Sequence, residues 1–405
     1  MAVAWALPRG AQTRRILRVI PSYYPYITGP ANQAHSVSTG LTQSNYETRV
    51  VTSDLGCKEA ARRETVDGVL VERLPILGGF MQYHFVHGAW RRLCDAPADV
   101  IHVHGYRSYL ADAAAVAARR RRLPLILQLH GTLSGFREIV GGWRRAFYYG
   151  YDALTAMLPT LSADRFIVST QAEAEEARSY GLDMARVRII PMGIDVDRYV
   201  FPDVGRNRRK IVLVGRLAEN RNVEDLLFAL AYLRDCEWTC AIVGGDERSS
   251  YASVSGYVPR LISLAAQLNI ADRCTFVGPL RGEELRRAYG QAGIFAYTSR
   301  YENFGQTILE AAASGCALVS TRVGVATDLI RDERTGFLIS HASPRDLAIR
   351  LQWLLNHPLE QAQMGEEAQR IARHEFSWPP IFRQYADVYE EAIQGRMPSA
   401  VSAGN

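Results

Sequence analysis

The chain has 405 residues, 48% of them hydrophobic and 22% charged, with a formal net charge of +5. That length favours two folded cores over one, and no run of about 18 apolar residues exists, so no segment is fit to cross a bilayer as a helix. The apolar start, residues 1–7, has no basic stretch before it and reads as a disordered leader rather than a signal peptide. The six cysteines, Cys57, Cys94, Cys236, Cys240, Cys274 and Cys316, lack zinc-type pairing and read as thiols of a reducing cytoplasm. Residues 1–200 hold 24 Lys and Arg against 18 Asp and Glu, whereas residues 201–405 hold 23 against 24. The excess in the first half fits a peripheral contact with an anionic membrane face, or simply an Arg-rich composition, since Lys occurs only at 58 and 210.

In the first half, apolar runs at 16–20, 48–53, 69–74, 100–104, 125–130, 166–169 and 187–191 read as strands, and 111–118 and 172–180 as helices. This alternation predicts a parallel sheet with helices on both faces. Residues 201–209, with Pro, Gly, Asn and repeated Arg, read as a linker. The pattern then restarts, with strands at 211–214, 240–243, 275–277, 294–297, 317–321 and 337–339. Helices are expected at 223–233, 260–268, 283–289 and 344–355. The expected organisation is α/β: a Rossmann-like domain over 1–198, a second over 199–376, and a last helix in 377–405 that crosses back to the first. Two doubly wound domains in tandem imply a deep cleft, with ligands at the carboxyl ends of strands.

The most informative stretch is Tyr301-Glu302-Asn303-Phe304-Gly305-Gln306-Thr307-Ile308-Leu309-Glu310. It follows a run, 293–299, apolar enough for a buried parallel strand. Glu302 therefore falls in the loop leaving that strand and Glu310 inside the next helix, whose free amides open near Gly305. A loop carboxylate, a helix carboxylate and a helix end at one sheet edge suit a nucleotide sugar, with acceptors for hydroxyls and donors for phosphate.

Five motifs then appear in a fixed order: Pro191-Met192-Gly193-Ile194-Asp195, Gly215-Arg216-Leu217, the Glu302–Glu310 stretch, Thr335-Gly336-Phe337-Leu338 and Phe376-Ser377-Trp378. In this the chain resembles the retaining glycosyltransferases of family four, which have the GT-B fold. The resemblance implies that Glu310 binds the ribose hydroxyls of the donor and Glu302 faces the transferred sugar. It implies that Asn303, Phe304 and Gly305 hold sugar hydroxyls and phosphate, that Gly215 opens the donor site, and that Arg216 forks onto the diphosphate. His130, at the end of the 125–130 strand, becomes the polar group beside the sugar. The chain departs from the family pattern in three places. Arg221 and Asn222 stand where a Lys-Gly pair is usual, and Thr28-Gly29-Pro30 keeps one of two usual glycines, with a proline that has no amide hydrogen to donate. Gly29 is then either a phosphate ligand or a plain turn residue.

His102 and His104 share one strand face; they read as strand-end packing rather than a metal pair. No metal and no cofactor is expected, Arg216 and Arg221 supplying the positive charge. The expected activity is transfer of a sugar from a UDP- or GDP-sugar to a hydroxyl of a saccharide or lipid-linked acceptor, with retained configuration. Cell-envelope polysaccharide or glycolipid synthesis is the expected setting, in the cytoplasm or at the inner membrane face. Residues 136–158, where aromatics mix with cations, suit an acceptor or a membrane interface. The departures at 30 and 222 motivate a different class, a catalytically silent nucleotide-sugar-binding scaffold, and an epimerase of the same fold is a lesser alternative. A dinucleotide oxidoreductase is disfavoured because no Gly-x-Gly-x-x-Gly follows a first strand, and no nucleic-acid partner is expected.

Overall fold

The computed structural model describes residues 13–26, 28–80, 83–131, 133, 145–146, 149–151, 153, 163–203, 205–246 and 256–396. The proposed leader, Thr132 and most of the segment 136–158 lie outside them. The chain divides into two compact units: residues 1–169, 173–190 and 378–405, and residues 170–172 and 191–377.

The first unit carries β1 (Arg14–Val19), β2 (Tyr46–Ser53), β3 (Arg63–Val66), β4 (Val69–Leu74), β5 (Ile76–Phe80), β6 (Tyr83–Val86), β7 (Val100–His104), β8 (Leu125–Gln128), β9 (Arg165–Val168) and β10 (Val187–Ile189). Eight form one sheet in the order β10-β9-β8-β7-β1-β2-β4-β3, parallel except where β3 meets β4, while β5 and β6 form a separate hairpin. Period-two alternation sorts the core. Leu17, Val19, Ile101, Val103, Leu125 and Leu127 pack on one face. Ile16, Val100, Ile126 and Ile167 pack on the other, against Ile381, Tyr385 and Tyr389 of the helix Trp378–Gln394. Each such aliphatic side chain contributes about 1.5–3 kcal/mol on leaving water.

That last helix belongs to the first unit. Arg14 donates to both carboxylate oxygens of Glu390 at 3.0 and 2.9 Å, and Arg165 and Arg188 reach Glu391 at 3.2 and 2.9 Å. It also packs on the helix Gly29–Thr42, where Gly40 leaves room for the Phe382 ring that a Cβ would overlap.

The segment read as a phosphate loop is different in the structure. Gly29 and Pro30 are the first residues of the helix Gly29–Thr42, capped by Thr28, whose Oγ1 accepts from the Ala31 amide at 3.2 Å. Proline belongs there, because the first-turn amides have no intrahelical acceptor in any case. Gly29 is therefore not a turn residue, and the missing Pro30 amide removes nothing from the helix.

The second unit holds β11 (Asn207–Val214), β12 (Thr239–Val243), β13 (Cys274–Gly278), β14 (Ala292–Tyr297), β15 (Ala317–Thr321) and β16 (Gly336–Ile339). They form an all-parallel sheet, β13-β12-β11-β14-β15-β16. β14 is buried at all six positions, as a strand covered on both faces must be. β11 starts inside the proposed linker, its first half alternating exposed and half-buried residues. The neighbouring central strands β11 and β14 bring two strand ends side by side, and the Gly215-Arg216-Leu217 and Glu302–Glu310 segments follow those ends.

Candidate active site

In the second unit, chain reversal after β11 places Gly215, Arg216 and the short turn Glu219–Arg221 at its carboxyl end. Arg216 is exposed and makes no bond among the described residues. Arg221 is buried, and its Nη1 does all the bonding: it donates to the Tyr297 hydroxyl at 2.7 Å, to Ser299 Oγ at 3.2 Å and to Glu302 Oε2. Tyr297 in turn donates to the same Glu302 oxygen at 2.7 Å. Burial opposes the Arg221 charge, but Tyr297 and Glu302 outweigh it and raise the guanidinium pKa. Nε and Nη2 make no bond among the described residues. Two donors of a planar fork are thus left over, in the geometry that suits two phosphate oxygens.

Asn222 resolves the departure from the family pattern at that position. Its backbone is left-handed, φ +49° and ψ +47°, a conformation that glycine adopts freely and asparagine more readily than most residues. Its side chain ties the turn on both sides, Nδ2 donating to Asp225 and Oδ1 accepting from Arg300 at 3.3 Å. Asn222→Gly is expected to keep the melting temperature within a few degrees. Asn222→Val, β-branched in a left-handed position, should cost about 1–2 kcal/mol. Thermal denaturation of both variants checks this; equal melting points would sink it.

β14 ends at Tyr297, and the loop that follows carries Glu302, exposed Asn303 and buried Phe304 to Gly305. Gly305 is the N-cap of the helix Gln306–Ala313, with φ +88°. Glu310 lies in that helix, as the spacing predicts. Tyr289 donates to its Oε2 at 2.9 Å, and the Tyr199 hydroxyl lies near enough to act on its charge. Burial pushes the Glu310 carboxyl up to about 7, against the opposing effect of the two tyrosine hydroxyls.

In the first unit, β8 stops at Gln128, so His130 is not part of the strand; it stands in a left-handed turn, φ +55°. Strand parity and adjacency bring polar groups beneath it. Arg18 pairs in register with His102, and His104 with Gln128. His102 and His104 are fully buried and stacked, ring centroids 4.4 Å apart, and their partners are Arg18, Tyr389 and His130 rather than a metal-type set. No group of three or more potential metal ligands occurs among the described residues. Glu173 braces the turn from below, accepting from the Gly131 amide and from the Ser169 amide at 2.6 Å. Burial raises its carboxyl to about 7.

The structure thus joins Arg221 to Glu302 directly and keeps Glu310 in a separate tyrosine-lined position of the same unit. Sequence reasoning missed Tyr199, Tyr289, Tyr297, Arg18 and Glu173. Arg18 had a visible signal, a lone cation inside the apolar run Ile16-Leu17-Arg18-Val19-Ile20. The tyrosines had none.

Two parallel-sheet Rossmann-like units with this motif order define a glycosyltransferase of the GT-B fold. Solved structures share it: HepE of Anabaena in complex with UDP superposes with a TM-score of 0.73 at 19% identity over 93% of this chain and 100% of that one. A Rickettsia africae glycosyltransferase reaches 0.74 at 17% identity over 95% and 100%. Residues 27–198 match the model for Glycosyltransferase Family 4, and residues 201–371 that for Glycosyl transferases group 1. Among curated relatives, the D-inositol 3-phosphate glycosyltransferase of Salinispora tropica is 28% identical over 96% of this chain and 86% of its own length. The D-inositol 3-phosphate glycosyltransferase 2 of Catenulispora acidiphila is 32% identical over 73% and 71%. The chain belongs to the retaining glycosyltransferases of family four.

Proposed function

We propose that this chain transfers a hexose from a UDP- or GDP-sugar to a hydroxyl acceptor. The observation that carries the reading is Arg221, buried, held through Nη1 by Glu302 and Tyr297, with Nε and Nη2 left to meet a diphosphate. Breaking the glycosidic bond to the leaving diphosphate builds negative charge on it. Arg221, the exposed Arg216 and the loop amides of Asn303, Phe304 and Gly305, just ahead of the helix Gln306–Ala313, are assigned to meet that charge. Gly215 keeps the strand end free of a side chain beside them. Glu302 faces the transferred sugar, Glu310 binds the ribose, and His130 is assigned the contact to the sugar in the first unit. No protein nucleophile is assigned, so retention is read as front-face attack, with the departing phosphate taking the acceptor proton.

The relatives' names make a phosphorylated inositol the first acceptor to test. The basic excess of residues 1–200 supports an acceptor met at an anionic surface, as for an envelope polysaccharide or glycolipid. The silent-scaffold alternative loses its motive, since Pro30 and Asn222 both suit the backbone they occupy. A thermal-shift panel of UDP- and GDP-sugars tests the donor. A sugar nucleotide at a hundred times its Kd stabilises the fold by about 2.7 kcal/mol, a rise of several degrees. Product analysis with inositol phosphate and the best donor follows. No shift with any donor and no transfer or hydrolysis would sink the reading.

A further inference from the structure

A buried guanidinium without a carboxylate is costly, and a fold keeps one only where something else compensates it. Arg18 is such a group: it is fully buried and forms no ion pair among the described residues. Its acceptors are neutral. Nη1 lies within bonding distance of His104 Nε2 and 3.3 Å from His102 Nδ1, and Nη2 donates to the Tyr389 hydroxyl at 3.1 Å. We propose that Arg18 is a positioning residue that, through His104, fixes His130 as a neutral hydrogen-bond donor with its ring hydrogen on Nδ1. The consequence for catalysis rests on the assignment of His130 to the transferred sugar.

A guanidinium donates and never accepts. His104 Nε2 beside Arg18 Nη1 therefore presents its lone pair, and neutral His104 carries its hydrogen on Nδ1. That nitrogen is 3.0 Å from His130 Nε2, so His104 donates and His130 Nε2 accepts. With its Nε2 lone pair engaged, neutral His130 carries its hydrogen on Nδ1. Protonating His130 would set two N–H groups against each other and add a cation near Arg18. Burial, and then the Arg18 charge, push its pKa down to about 3. The Tyr389 hydroxyl, having accepted from Arg18, donates to His102 Nδ1 at 2.8 Å. Gln33, Gln128 and Tyr385 close a ring among themselves, at 3.0, 3.1 and 3.1 Å. The nearby carboxylate Glu173 is bound to the Gly131 and Ser169 amides. His130 therefore carries its hydrogen as a donor and does not take a proton, which leaves deprotonation of the acceptor to another group.

The test uses the full chain labelled with 15N in the histidine rings, read by long-range proton–nitrogen correlation and assigned by single histidine replacements. His104 and His130 should both appear as neutral Nδ1–H tautomers from about pH 5.5 to 8.5. An Nε2–H tautomer at either ring, or titration of His130 in that range, overturns the inference whatever the activity. Arg18→Gln presents an amide that donates or accepts, and should release the tautomers and lower kcat about tenfold, the worth of one well-placed hydrogen bond, with donor KM little changed. Arg18→Lys, still a pure donor, should keep the tautomers. Arg18→Gln with both tautomers and full kcat retained also overturns the inference. If the tautomers are as stated but His130→Ala transfers sugar at the wild-type rate, the tautomer assignment stands and the sugar-contact reading falls.

Discussion

Glu302→Ala is expected to lower kcat of sugar transfer by roughly 100- to 1,000-fold, the range for losing one preorganised electrostatic group, while nucleotide binding persists. The same change should destabilise the second unit by about 2–4 kcal/mol, since removing one partner of a buried pair strands the other. The side chains of Arg221 and Glu302 are only 10% and 19% exposed, so water does little to compensate. Tyr297 and Ser299 remain as acceptors for Arg221, but both are neutral.

The two effects separate in a double variant. Arg221→Met with Glu302→Leu removes both charges and should recover most of the lost stability, as apolar replacements of buried pairs do, yet recover no transfer. Denaturant midpoints and steady-state rates of the two single variants and the double variant form the test. Recovery of activity together with stability would show the pair to be structural only.

How much of this was open to the sequence depends on distance along the chain. Each strand of the second unit was legible at least in part, most plainly β14 and β15, because buried parallel strands are uninterrupted apolar runs and need no partner to be recognised. The Glu302–Glu310 spacing was local, and the loop and helix placements followed from it. The helix Gly29–Thr42 was readable from Thr28 and Pro30, a cap followed by a first-turn proline, but a loop reading displaced it. β3 and the hairpin of β5 and β6 escaped. Gly78 and Gly79 break the alternation in β5, four of whose five residues are exposed. Asn222 looked like a loss in the sequence because its torsion angles are invisible there. The tyrosines beside Glu310 come from residues 199 and 289, and only tertiary folding brings them to it.

That tyrosine pair leads to a pH dependence. Its carboxyl pKa, raised from 4.5 to about 7 chiefly by burial, makes the folded protein hold the Glu310 proton more tightly than the unfolded chain. The contribution to stability is therefore fully present below pH 4.5 and is lost as pH rises through about 7. Donor binding runs the opposite way. With Glu310 as the proposed ribose ligand, two hydroxyls would donate to its carboxylate, so binding selects the deprotonated form and releases a proton. The apparent Kd for a nucleotide sugar, whose phosphates do not titrate in this range, should weaken roughly tenfold from pH 8 to pH 6, one pH unit below the midpoint costing about one factor of ten. Calorimetry in buffers of different ionisation enthalpy measures both the Kd and the proton released. Glu310→Gln should bind weakly at every pH and lose the dependence. Tyr289→Phe removes a hydroxyl that stabilises the carboxylate, so it should move the midpoint to higher pH and weaken binding at neutrality. An unchanged profile in Glu310→Gln would detach the carboxylate from the ribose, and the donor site would have to be sought at Arg216 and Arg221 alone.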